Sequence, residues 1–170
     1  DTRYVQAVED SRTSTSAIIV DGRGERLIGG MRDTAIPSGT SWLPLERVAK
    51  ASAVMADVRW LEGLRALFTQ ARAEGVTTVL DADLGAREAL PELLALTDYA
   101  IFSAPALREI ATGDNDEARL RTVLAMGPKH AGVTLGSEGY RWQEKVGRGG
   151  HQPGFAVDVA DTTGAGDAFH

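Results

Sequence analysis

The chain has 170 residues, 43% of them hydrophobic and 25% charged, enough for one ordinary domain with a real core. A net charge of −6 with no basic stripe argues against a nucleic-acid partner, no apolar run reaches the length of a membrane span, and the opening residues do not read as a signal peptide. Without cysteine there are no disulfides, zinc–thiolate sites or thiol nucleophiles, and the cytoplasm is the expected compartment.

Residues 16–20 are an apolar, β-branched run and 26–28 a second short one. Asp21-Gly22-Arg23-Gly24-Glu25 between them has turn chemistry, which predicts a hairpin. Residues 30–43 read as loop, 45–51 as a short helix and 53–56 as a buried strand. Leu61, Leu64, Phe68 and Ala71 follow helical spacing, and Gly75 closes that helix. Residues 76–80 read as a strand ending in Asp81 and Asp83. Pro91 opens a helix carrying Leu93, Leu94 and Leu96. A strand at 99–102 follows, then a helix opened by Pro105 and stopped by Gly113. Asn115 or Asp114 caps a helix bearing Leu120, Val123 and Leu124, which Gly127 and Pro128 end. Residues 130–135 are expected as strand, 136–139 as a turn, 140–142 as a returning strand, 147–150 as loop and 155–159 as a final strand.

Apolar strands alternating with amphipathic helices indicate an α/β sheet covered on both faces, with ligands outside the carboxyl ends of the strands. Residues 57–59, 81–83, Ser103, 136–139 and the terminal segment all fall at such ends.

The terminal segment, Asp161-Thr162-Thr163-Gly164-Ala165-Gly166-Asp167, carries the densest chemistry. Small residues let backbone N–H groups approach a ligand, and a helix start brings unsatisfied donors and partial positive charge. Such a cradle with a carboxylate at its lip suits phosphoryl transfer, which needs donors for developing charge and a base for the attacking hydroxyl. No Lys-Ser or Lys-Thr follows the glycines, so this is not a Walker loop. Taken alone, the turn could equally serve tight strand–helix packing, Asp161 could cap it, Gly136–Gly139 could be a plain hairpin, and Asp81 or Asp83 could cap a helix or bind a cation or substrate.

The ordered motif resembles the second signature of the PfkB (ribokinase-like) carbohydrate kinases. The resemblance implies a ribokinase-like three-layer αβα sandwich, here partial, as a single domain over 1–170 with 14–30 as lid strands. It implies that Gly164, Ala165 and Gly166 supply an anion hole and that Asp167 takes the proton from the acceptor hydroxyl. Asp161 and Thr163 match positions that hold a monovalent cation such as K⁺. Thr134-Leu135-Gly136-Ser137-Glu138-Gly139 is similar to the family's nucleotide turn, so Thr134, Gly136, Ser137 and Gly139 are expected at ATP, which travels with Mg²⁺. Asp81 and Asp83 are similar to the family's Asp-x-Asn segment near the substrate. Many relatives carry Asn-x-x-Glu where this chain has Ser103 and Ala106; Ser103 reads as a helix cap.

Ala56-Asp57-Val58-Arg59-Trp60, together with 16–21, 24–26, 76–81, His151-Gln152-Pro153 and Phe155, is similar to the 6-deoxy-6-sulfofructose kinase subgroup. The resemblance puts Arg59 on the anionic end of a sugar, which its planar fork suits. An Asn that assists sulfonate binding in that subgroup falls at Gly30. The bland alternative for Arg59 is stacking on Trp60. The implied protein is an ATP-dependent kinase phosphorylating a primary hydroxyl of a ketose, sulfofructose first, with other PfkB substrates or a non-catalytic binding remnant as alternatives. A homodimer through the lid strands is also implied, and the chain is expected to be part of a larger molecule.

Overall fold

The structure, a computed structural model, describes residues 2–22, 26–31, 33–158 and 163–169, except for the side chains of Arg26 and Asp167. It divides into two compact units, Asp1–Leu43 and Pro44–His170.

The first unit holds the expected hairpin. β1 (Thr15–Val20) pairs antiparallel with β2 (Arg26–Met31), setting Ile18 opposite Ile28 and Ile19 opposite Leu27. β-branched residues favour the pleated backbone, and the ladder carries β2 past the expected end at Ile28 through Gly29 and Gly30, the latter read as the start of a loop. Every β1 side chain is exposed. Beyond the hairpin, the Asp33 carboxylate accepts backbone N–H groups from Ala35 and Arg12, which hold its carboxyl below the ordinary value.

The second unit is a six-stranded mixed sheet. In spatial and chain order it runs β3 (Ala53–Asp57), β4 (Thr77–Ala82), β5 (Tyr99–Ser103), β6 (His130–Thr134), β7 (Tyr140–Glu144) and β8 (Gly149–Gln152). β3 to β6 are parallel, and β7 and β8 return antiparallel. The parallel crossovers contain α1 (Leu61–Glu74), α2 (Leu90–Ala95), α3 (Ala104–Ile110) and α4 (Asp116–Ala125). Leu64, Phe68, Leu93, Leu94, Leu107, Leu120 and Val123 from these helices join alternate strand residues Leu80, Ala82, Ala100, Phe102, Ala131 and Val133 in one core. Phe68 and Phe102 have no exposure, and burial of each contributes about 1.5–3 kcal/mol. The opposite sheet positions, such as Val79, Ile101 and Thr134, are half-buried. On that side α5 (Ala165–Phe169) sets Phe169 against Tyr140, with ring centres 4.9 Å apart.

Local chemistry explains most boundaries. Gly75 ends α1 in the left-handed region, Pro91 and Pro105 sit in first turns, and the Asn115 side chain caps α4 by accepting from the Ala118 N–H. The short helix expected at 45–51 is a 3-10 helix over 45–50. Three expectations are corrected: 53–57 form an edge strand with alternating exposure rather than a buried one; Gly149 and Gly150, read as loop, belong to β8; and 155–158 are not strand. Gly149 and Gly150 belong in β8 because Gln143 and Trp142 of β7 fill the space a β-carbon would take. Phe155 and Val157 are 83% and 70% exposed, so their alternation buries no face.

Candidate active site

The carboxyl ends of β3, β4 and β5 bring together the residues expected at the substrate. Asp57 ends β3, and its Oδ1 accepts the Arg59 backbone N–H at 2.9 Å, turning the chain towards α1. Arg59 directs Nη2 to Asp83 Oδ2 at 3.1 Å, so its guanidinium pairs with a carboxylate one strand away. The other Asp83 oxygen, Oδ1, accepts the Ser103 hydroxyl at 3.0 Å. Ser103 Oγ in turn accepts the Ala106 N–H at 3.3 Å, capping α3 as expected. Asp81 lies inside β4 rather than beyond it, paired in register with Asp57 and Ile101, and is half-buried.

The nucleotide-turn candidates lie at the end of β6. The Thr134 hydroxyl donates to the Phe102 carbonyl at 3.3 Å, fastening the strand end to β5. Gly136–Glu138 form one 3-10 turn, with Gly136 at φ 58° and Gly139 at φ 94°. Gly136, Ser137 and Glu138 are exposed. Gly136 has open space around its α-carbon, whereas Gly139 packs on the backbone of Gln152–Gly154. The turn is thus fixed from behind and open in front.

In the terminal segment Gly164 stands at φ 75°, a left-handed conformation that costs a side-chain-bearing residue about 1 kcal/mol or more. Its carbonyl accepts the Ala168 N–H at 2.9 Å, the bond that opens α5. Ala165 and Gly166 therefore provide the first N–H groups of a helix start, and Asp167 occupies the third helical position. Thr163, Gly164, Ala165 and Gly166 are all exposed. Asp161 and the Asp167 side chain lie outside the described residues.

Among the described residues no group of three or more His, Asp or Glu stands where it could hold a metal ion. Also among the described residues, no helix is long and apolar enough to cross a membrane. A separate cavity of about 290 Å³ lies between α4 and the β7–β8 hairpin, lined by Glu117, Arg141, Gln143, Gly149, Gly150 and His151.

Sequence reading identified Ser103 as a cap but missed its second bond. The Ser103–Asp83–Arg59 chain joins residues 20 and 24 positions apart, and no local spacing signals such contacts. Sheet register creates it.

A mixed α/β sheet with polar clusters on its strand ends, a double-glycine turn after β6 and a glycine-led helix start is the ribokinase-like fold. The pattern of the pfkB family carbohydrate kinases matches residues 1–170, and the chain belongs to that family. It is 29% identical over 179 residues to a ribokinase of Staphylococcus aureus, covering 99% of this chain and 58% of that protein. It is 30% identical over 171 residues to an ATP-dependent ribose-1-phosphate kinase of Halopiger xanaduensis, covering 99% and 56%. Among solved structures, one from Agrobacterium tumefaciens with a provisional ribokinase description superposes with a TM-score of 0.84 at 33% identity, covering 95% of this chain and 53% of that one. The chain spans a little over half the length of these relatives.

Proposed function

We propose that the protein is an ATP-dependent sugar kinase that moves the γ-phosphoryl group to a primary hydroxyl of a ketose, with 6-deoxy-6-sulfofructose as substrate and its 1-phosphate as product. The observation that carries the chemistry is the backbone from Gly164 to Asp167, in which a left-handed glycine opens a helix and puts Asp167 in its first turn. In this reading the Gly164, Ala165 and Gly166 amides neutralise the charge that develops on the transferring group. Asp167 accepts the proton of the attacking hydroxyl. Thr134, Gly136, Ser137 and Gly139 cradle the nucleotide, which brings Mg²⁺ with it. Asp161 and Thr163 hold a monovalent cation, K⁺, beside the anion hole. The β1–β2 hairpin acts as a lid that keeps water from the phosphoryl group, and the enzyme works in the cytoplasm.

Arg59 at a strand end supports an acceptor with an anionic tail, and the ribose-1-phosphate kinase among the relatives gives the family precedent for a charged sugar. The ribokinase similarity favours a second reading, a neutral sugar as acceptor. A coupled assay of the whole protein with sulfofructose, fructose, ribose and 2-keto-3-deoxygluconate separates the two. The expected result is the highest kcat/KM on sulfofructose; equal values on fructose and sulfofructose overturn the sulfosugar assignment. Asp167→Asn should lower kcat at least about a hundredfold and leave ATP binding in place. Turnover close to wild type would remove Asp167 from the role of base.

A further inference from the structure

We propose that Asp83 is a positioning residue that sets the Arg59 fork for the anionic end of the acceptor, rather than a ligand of the sugar itself. The inference deepens the substrate reading above and rests on Arg59 being the anion ligand. Three observations carry it. Asp83 is bound on both oxygens by protein groups, Oδ2 by Arg59 Nη2 at 3.1 Å and Oδ1 by the Ser103 hydroxyl at 3.0 Å. Ser103 cannot swing freely, because its Oγ also caps α3 through the Ala106 N–H. Arg59 is held at its own root, where its backbone N–H is bound by Asp57.

The long side chain is thus fixed at both ends. From the α3 cap the chain of bonds runs Ala106, Ser103, Asp83, Arg59, across the carboxyl ends of β5, β4 and β3. A surface arginine otherwise samples many rotamers, and each lost on binding weakens affinity. The Arg59 and Asp83 side chains are 60% and 42% exposed, so water screens the pair and its direct attraction is small. What the pair supplies is direction: a guanidinium presented in one plane can meet a sulfonate, carboxylate or phosphate through two parallel bonds. Neutralisation of Arg59 by Asp83 works in the opposite sense, and Asp83→Ala reads which of the two effects prevails.

The test is calorimetric binding of sulfofructose and of fructose to the whole protein and to Asp83→Ala, Asp83→Asn, Arg59→Ala and the Arg59→Ala/Asp83→Ala pair. The readout is the ratio of the two dissociation constants. Asp83→Ala should lower the preference for sulfofructose about fivefold, the upper range for an exposed ion pair. Asp83→Asn, which keeps an oxygen for either partner, should hold it within about twofold of wild type. In the Arg59→Ala background, Asp83→Ala should change nothing further. If Arg59→Ala abolishes the preference and Asp83→Ala leaves or strengthens it, the positioning role is overturned and the substrate reading stands. A loss that persists in the Arg59→Ala background makes Asp83 a direct sugar ligand. If Arg59→Ala leaves the preference intact, the anion reading fails and the positioning role falls with it.

Discussion

Gly136 and Gly139 bracket one turn, and both have positive φ, yet the structure asks different things of them. At Gly139 a β-carbon would collide with the Gln152 carbonyl oxygen, and the backbone sits at φ 94°. Gly139→Ala should therefore cost about 2–4 kcal/mol, through strain and overpacking, seen as a lower urea midpoint whether or not nucleotide is present. At Gly136 the space is open, and only φ 58° opposes a side chain. Gly136→Ala should cost about 1 kcal/mol of stability and weaken ATP more than it weakens the fold, which calorimetry and a melt measured together separate. The sequence pattern marked both glycines alike; only packing against residues 152–154 tells them apart. Gly30 is a third case. A β-carbon there would rest 3.6 Å from Ser16 Oγ, an ordinary contact, so Gly30→Asn fits β2. If the subgroup's Asn belongs at this position, Gly30→Asn should tighten sulfofructose several-fold while leaving fructose binding within about twofold, the gain of one hydrogen bond to a charged group.

Opposite the site, the starts of β4, β5 and β6 are held by a single acid. Asp98 Oδ2 accepts the backbone N–H and hydroxyl of Thr78 at 3.0 and 3.2 Å, and Oδ1 meets Lys129 Nζ at 2.8 Å. Its own N–H donates to Thr78 Oγ1, and its carbonyl accepts the Lys129 and His130 amides. Burial works against the charged carboxylate, but the Lys129 and Thr78 bonds outweigh it, so the carboxyl is held below its ordinary value of 3.8. A carboxyl depressed in the folded state adds stability that is fully present above the unfolded value and is lost as pH falls through the folded one. The urea-midpoint gap between wild type and Asp98→Asn should therefore be constant above about pH 5 and close as pH drops below about 4. A gap that does not change over that range would show that Asp98 acts only as a neutral hydrogen-bond partner. The sequence held no sign of this network, since Thr-Asp before a strand reads as an ordinary loop. The strand–helix alternation from Leu61 to Thr134 was legible because prolines, caps and helical spacing are local signals. β8 was not, because Gly149 and Gly150 are poor strand formers that only their β7 partners make acceptable. The candidate site divides the same way: its residues stand at strand ends as the alternation implies, but the bonds among Arg59, Asp83 and Ser103 follow from which strands are neighbours.

At the scale of the whole molecule, the β1–β2 hairpin stands out for apolar residues on both faces. Ile18 and Ile28 face one another on one side, and Ile19 and Leu27 on the other, with exposures between 42% and 68%. A lone two-stranded hairpin is marginal in water, and this much exposed aliphatic surface calls for a cover. Gly30 lies on the face of Ile18 and Ile28, which leaves Ile19, Leu27 and Met31 for a second copy of the chain if the hairpin is a shared lid. A two-fold contact between identical hairpins would bury the same pairs twice, so a single substitution acts on both sides of the interface. Sedimentation of the whole protein at micromolar concentration should then give a dimer. Ile19→Lys/Leu27→Lys should give a monomer with an unchanged melting transition of the sheet unit, since neither side chain is buried within the chain. The variant should also hydrolyse ATP without acceptor faster than wild type, because a lid that loses its partner closes less completely over the phosphoryl group. A monomeric wild type removes the shared lid altogether; a variant that stays dimeric moves the interface elsewhere, and one that is monomeric with unaltered ATP hydrolysis separates association from lid closure.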